Sequence, residues 1–187
     1  LLAVVLFLVM FIFKRAGAFD FWYWMSANLL VVISLAFFTD RDNLRLIRQD
    51  ISSNLFKKIL SGIGFALLLY LVFYAGNFFI RLIIESAGKG IENVYGFKQE
   101  APSWRIVLLM TLVIGPGEEI FWRAYLQRRL SIKFNPLPGF ILATFLYAAV
   151  HLATGNLVLV LAALVCGIFW GWLYKTLHSV TINVISH

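Results

Sequence analysis

The stretch Gly115-Pro116-Gly117-Glu118-Glu119-Ile120-Phe121-Trp122-Arg123 places two adjacent carboxylates and a guanidinium inside an apolar run. An acidic side chain at the bilayer centre costs roughly 2.5–3.5 kcal/mol on insertion scales, so such residues mark a functional site by default. Glu119 and Arg123 are four apart, the spacing of an ion pair along one helix face. That pairing would give Glu119 a purely structural role. It leaves Glu118 unaccounted for, because neighbouring residues point about 100° apart around a helix. Pro116 removes a backbone donor and is expected to kink the helix, freeing a carbonyl one turn back. Irregular backbone at membrane depth is tolerated where it lines a water-filled cavity. An intramembrane hydrolase or a transporter needs such a cavity.

Three histidines are present. His178 lies near Lys175 at a predicted surface and reads as interfacial. His151 and His187 fall within apolar runs. Glu118 is ten residues from Arg128, His151 thirteen from Pro138, and His187 twelve from Lys175. At about 1.5 Å of rise per residue, all three lie roughly 15–20 Å deep, on three different helices. Two histidines and a carboxylate at one depth form a candidate constellation.

The elements that must carry these residues are membrane helices. Hydrophobic residues make up 61% of the 187, and the mean hydropathy is +0.87. They come in long blocks rather than at amphipathic spacing, which excludes an ordinary soluble domain and predicts an all-α, polytopic transmembrane bundle. About six to seven apolar helices are visible, over residues 1–13, 21–38, 59–80, 105–130, 138–153 and 157–174, with 180–187 beginning another. Both ends read as truncated, so residues 1–13 are not taken as a signal peptide. Gly62, Gly64 and Gly76 are expected to permit close helix packing. Gly88-Lys89-Gly90 lacks the rest of a phosphate loop and is expected to be a turn within a polar connector over 81–104. Cys166, the one cysteine, has no disulfide partner and no metal-ligand spacing around it, and reads as a small buried hydrophobe. One membrane domain is expected, with N-terminal helices over 1–104 and a core over 105–187.

The net charge of +7 would point to nucleic acid on a soluble protein. Here Lys and Arg are expected in loops facing an anionic leaflet, with the lipid bilayer as partner and no nucleic acid. Placing the 40–58 connector in the cytoplasm puts 123–135 and 175–178 there too. Ten of the 16 Lys and Arg then lie on that side. Trp22, Trp24, Trp172 and Tyr174 sit at span ends, where aromatic anchors belong.

The motif Glu118-Glu119-Ile-Phe-Trp-Arg123 resembles EExxxR of the CAAX protease and bacteriocin-processing family, intramembrane proteases that include the type II CAAX prenyl endopeptidases. Ala124 stands where that family often has glycine. Tyr147-Ala-Ala-Val-His151 is similar to its FxxxH motif, with a tyrosine that keeps the ring and is expected to matter little. His187 matches the histidine of a third motif. The resemblance covers roughly residues 105–187.

The resemblance implies peptide hydrolysis by an activated water. Glu118 would be the general base, with His151 assisting. His187 would stabilise the oxyanion. Arg123 would hold Glu119 and keep the site's net charge low. Cofactors stay open between none and a divalent metal such as zinc, for which Glu118, His151 and His187 would be the ligands. The substrate would be a peptide or membrane protein: a prenylated CAAX peptide for a eukaryotic or archaeal source, a leader peptide or membrane-bound precursor for a bacterial one. Two other readings remain, a non-catalytic scaffold or bacteriocin self-immunity protein on the same fold, and a proton-coupled transporter. The oligomeric state is open.

Overall fold

The computed structural model describes residues 2–83, 87–96 and 101–187. Among these the chain is all-α. The helices are α1 (Leu2–Phe13), α2 (Phe21–Thr39), α3 (Arg41–Ser52), α4 (Leu55–Ile83), α5 (Ala87–Gly96), α6 (residues 103–134), α7 (Pro136–His151), α8 (Leu157–Leu177) and α9 (Val180–Ser186). Local chemistry sets their limits. Asp20 caps α2 by accepting from the Trp22 and Tyr23 amides, and Asn156 caps α8 through Val158 and Leu159. Asn135, at φ +75°, turns the chain between α6 and α7. His178, at φ +51°, ends α8 in the left-handed conformation.

Four segments among the described residues are long and apolar enough to cross a membrane: Phe21–Thr39, Leu55–Ile80, Pro136–Thr154 and Leu157–Leu177. The other apolar segments expected from the sequence are helical too, and α1 and α6 fall outside this group for two reasons. Helix α1 has 12 residues, only about 18 Å of rise. Helix α6 carries Glu118, Glu119 and Arg123 near its middle.

The other departures from expectation have similar local causes. The 40–58 connector folds largely into α3, an amphipathic helix that buries Asn43 and Ile47. Gly88-Lys89-Gly90 lies inside α5 rather than in a turn. Gly90 approaches the start of α8 so closely that a Cβ there would lie 2.7 Å from Val158 Cγ2. Residues 84–86 and 97–100 of the expected 81–104 connector, and Leu1, lie outside the described residues. Of the three glycines in α4, Gly62 alone makes a tight approach, where a Cβ would fall 2.6 Å from Ile185 of α9. Gly64 and Gly76 meet nothing within 4 Å. Cys166 is half-buried against the core.

Two ion pairs lock α2 alongside α6. Asp20 pairs with Arg105 and Asp40 with Arg128, so both helices run in the same direction. Helices α7 and α8 pack against each other, and α9 packs against α4. The core where α1, α2, α6, α7 and α8 meet contains Phe7, Met10, Phe11, Leu29, Phe121, Trp122, Tyr147, Val150 and Ala163.

Candidate active site

Helix α6 does not break at Pro116. It is continuous, but it widens twice into π-helical turns, over Met110–Ile114 and Glu119–Gln127. In a regular α-helix the proline ring clashes with the carbonyl four residues back. Here the Gly115 amide donates five residues back, to Met110 O, and the wide turn takes up the strain. The irregular backbone expected at Pro116 thus takes the form of a wide turn just ahead of it. Gly115 and Gly117 are buried and close-packed. A Cβ on Gly115 would lie 3.0 Å from Met110 O and 3.3 Å from the His187 ring, and one on Gly117 would lie 3.2 Å from Ile33. The second wide turn begins at Glu119 and carries Arg123.

The two glutamates differ sharply in their bonding. Glu119 is fully buried, and both of its oxygens are engaged. Oε1 lies 3.0 Å from Arg123 Nη1 and 2.9 Å from His187 Nδ1. Oε2 accepts from Asn183 Nδ2 at 3.0 Å. Three partners therefore share one carboxylate, which makes it a structural anchor. Glu118 accepts one hydrogen bond among the described residues, from the Tyr147 hydroxyl to Oε2 at 2.9 Å. Among the described residues no hydrogen bond reaches its Oε1, and His187 Nε2 stands 4.0 Å from Oε2.

The histidines are each fixed by one nitrogen. His151 Nδ1 lies 2.8 Å from the Tyr147 carbonyl, which can only accept, so Nδ1 carries the proton and Nε2 keeps a lone pair. Its ring packs between Tyr147, at 5.1 Å, and Phe11 of α1, at 4.8 Å. His187 stacks flat on Trp170, with centroids 4.0 Å apart and planes 2° apart. The Arg123 guanidinium lies over the rings of Tyr147 and Trp170, at 4.7 and 5.5 Å. Glu118, Glu119, Arg123 and His187 thus form one cluster from α6 and the end of the chain. His151 joins it through Tyr147 and lies within electrostatic range of Glu118. His178, read as interfacial, stands apart at the end of α8.

Several contributors were not singled out from sequence. Asn183 donates to Glu119 and to Trp170 O, and its buried Oδ1 has no partner among the described residues. Its position one turn before His187, in an apolar run, was the available signal. Trp170 donates to Ser186 Oγ at 3.2 Å. Asp50 has no local sequence signal at all. From α3 it accepts from the Thr181 amide at 2.8 Å, the Thr181 hydroxyl at 2.6 Å and Ser179 at 3.2 Å, and it pairs with Lys58. Burial alone would raise the Asp50 carboxyl. The bonds from Lys58, Thr181 and Ser179 outweigh it and hold the group below the usual carboxylate range. The effect is to fasten the first turn of α9, and with it Asn183 and His187.

A metal site does not follow from this arrangement. Among the described residues no three His, Cys, Asp or Glu side chains converge as a ligand set. His187 Nδ1 is committed to Glu119 and Glu118 Oε2 to Tyr147.

Residues 100–187 match the family model described as type II CAAX prenyl endopeptidase Rce1-like. No curated protein and no solved structure gives a match.

Proposed function

We propose, from the match of residues 100–187 to the type II CAAX prenyl endopeptidase Rce1-like family model, that this integral membrane protein is an intramembrane endopeptidase with Glu118 as its base. The observation that carries the reading is the inequality of the two glutamates. Glu119 spends both oxygens on Arg123, His187 and Asn183. Glu118 keeps Oε1 for a water molecule.

In the proposed reaction, Glu118 Oε1 takes a proton from water as the water oxygen bonds to the peptide carbonyl carbon. His151 Nε2, its lone pair fixed by the Nδ1–H bond to Tyr147, is a second acceptor for that water. The carbonyl oxygen becomes an oxyanion. His187, with carboxylates facing both ring nitrogens, donates to it from Nε2 in the protonated form. The C–N bond then breaks and Glu118 returns its proton to the departing amine. Arg123 balances Glu119, so the cluster does not carry two uncompensated negative charges. The substrate is a CAAX-type or leader peptide. The 40–58 segment, the last turns of α6 from Arg128 and residues 175–178 face the cytoplasm, a reading supported by the Asp40–Arg128 and Asp50–Thr181 contacts that gather them; the expected 123–135 connector is itself helical, and its Arg123 is buried in the site.

The test is digestion of a mixed peptide pool, prenylated peptides included, by the protein in liposomes, with products read by mass spectrometry beside Glu118→Gln. Products made by the wild type alone support the reading, and their ends name the substrate class. Equal products from both would remove Glu118 from the mechanism. No product from either shifts weight to a non-catalytic scaffold.

A further inference from the structure

The Tyr147 hydroxyl makes the one hydrogen bond to the Glu118 carboxylate among the described residues, and the sequence assigned it no role. The ring cannot easily turn away. It meets Trp122 edge-on at 5.3 Å, His151 at 5.1 Å, and the Arg123 guanidinium over its face at 4.7 Å. The side chain is 6% exposed, so little water competes for the hydroxyl. The backbone of the same residue holds His151, through its carbonyl. Tyr147 therefore touches the base, the second acceptor and the balancing cation at once. A phenylalanine would fill the same space and keep every ring contact. It would lose only the bond to Glu118 Oε2.

An ionised carboxylate can turn about its last bond unless one oxygen is held. With Oε2 held at 2.9 Å by a donor that is itself locked by packing, Oε1 is left in one orientation. We propose that Tyr147 is a positioning residue, whose hydroxyl fixes the Glu118 carboxylate so that Oε1 faces the attacking water. This rests on the reading of Glu118 as base. The hydroxyl keeps its proton throughout, because the partner is acceptor-only until it takes the water proton at Oε1.

Tyr147→Phe tests it with two readouts. Against a peptide cleaved by the wild type, kcat should fall roughly 10–100-fold, the range for a mispositioned catalytic group, while KM stays unchanged. A raised KM at constant kcat would mean the hydroxyl binds substrate and would overturn the proposal. So would an unchanged kcat, provided Glu118→Gln is inactive in the same assay. Active Glu118→Gln would instead sink the functional reading itself. The second readout needs no activity. Thermal unfolding of Tyr147→Phe is compared in the wild-type and Glu118→Ala backgrounds. The proposal requires that the substitution lower Tm only when Glu118 is present, even if it unfolds the wild type severely. An equal drop in both backgrounds would show a packing role only.

Discussion

Replacing Glu119 by Gln should cost stability, and replacing Glu118 by Gln should not, although the two residues are adjacent and the changes isosteric. Arg123 is 2% exposed and Glu119 0%, so their pair is almost fully removed from water. Removing one member of such a pair leaves an uncompensated buried charge and costs about 3–5 kcal/mol. A glutamine at 119 could still accept at one oxygen, but its amide would point a donor at Asn183 or at Arg123 and His187, which donate too. The expected loss for Glu119→Gln is therefore at the upper half of that range. At roughly 2–4 °C per kcal/mol for a chain of this size, the midpoint should fall by about 10 °C or more. Glu118→Gln keeps an acceptor for the Tyr147 hydroxyl and leaves no cation unpaired, so its midpoint should stay within about 2–4 °C, the equivalent of 1 kcal/mol. Thermal unfolding in detergent, followed by tryptophan fluorescence and repeated with Arg123→Met/Glu119→Gln, is the assay. The double substitution should recover part of the loss by removing the orphaned charge. Equal shifts for the two single variants, or a neutral Glu119→Gln, would refute the division of labour between the glutamates.

Three further outcomes follow from particular contacts. Gly115→Ala puts a methyl group 3.0 Å from Met110 O and 3.3 Å from the His187 ring, so it should cost about 1–3 kcal/mol of strain and lower kcat more than it raises KM, which steady-state kinetics would read. Gly62→Ala brings a methyl within 2.6 Å of Ile185 and should lower Tm by a similar strain, with Ile185→Ala restoring part of it in the double variant. Asp50, whose carboxyl is held below its usual range, contributes stability that is fully present above the unfolded value of about 3.9 and is lost as pH falls towards the folded one. Melting curves between pH 6 and 3 should therefore slope downward with acid in the wild type and be flatter in Asp50→Asn.

The sequence carried the fold class and the chemistry unevenly. Long apolar blocks made an all-α bundle legible, because membrane helices depend on composition over whole segments. The Glu119–Arg123 pair was legible because it is local, at i and i+4. Other features depend on which helices meet. Tyr147 looked like a bulky ring equivalent to phenylalanine until Glu118 was found at its hydroxyl. Asp50 sits 131 residues from Thr181, and no local pattern foretells that the charged connector fastens the helix carrying His187. Pro116 announces irregular backbone but not its form, because propensity rules describe regular α-helix, whereas here a preceding wide turn gives the ring room. Gly64 and Gly76 show the converse: small residues permit close packing, and only a neighbour such as Ile185 at Gly62 makes use of it.

The central claim is that Glu118 activates the water. The most direct measurement is the single-turnover cleavage rate of one identified peptide by Glu118→Gln in liposomes, with Tm taken on the same sample. The account predicts a fall of at least about 100-fold, the lower range for loss of a general base, in a protein that melts close to the wild type. A correctly folded variant that cleaves at the wild-type rate would contradict it.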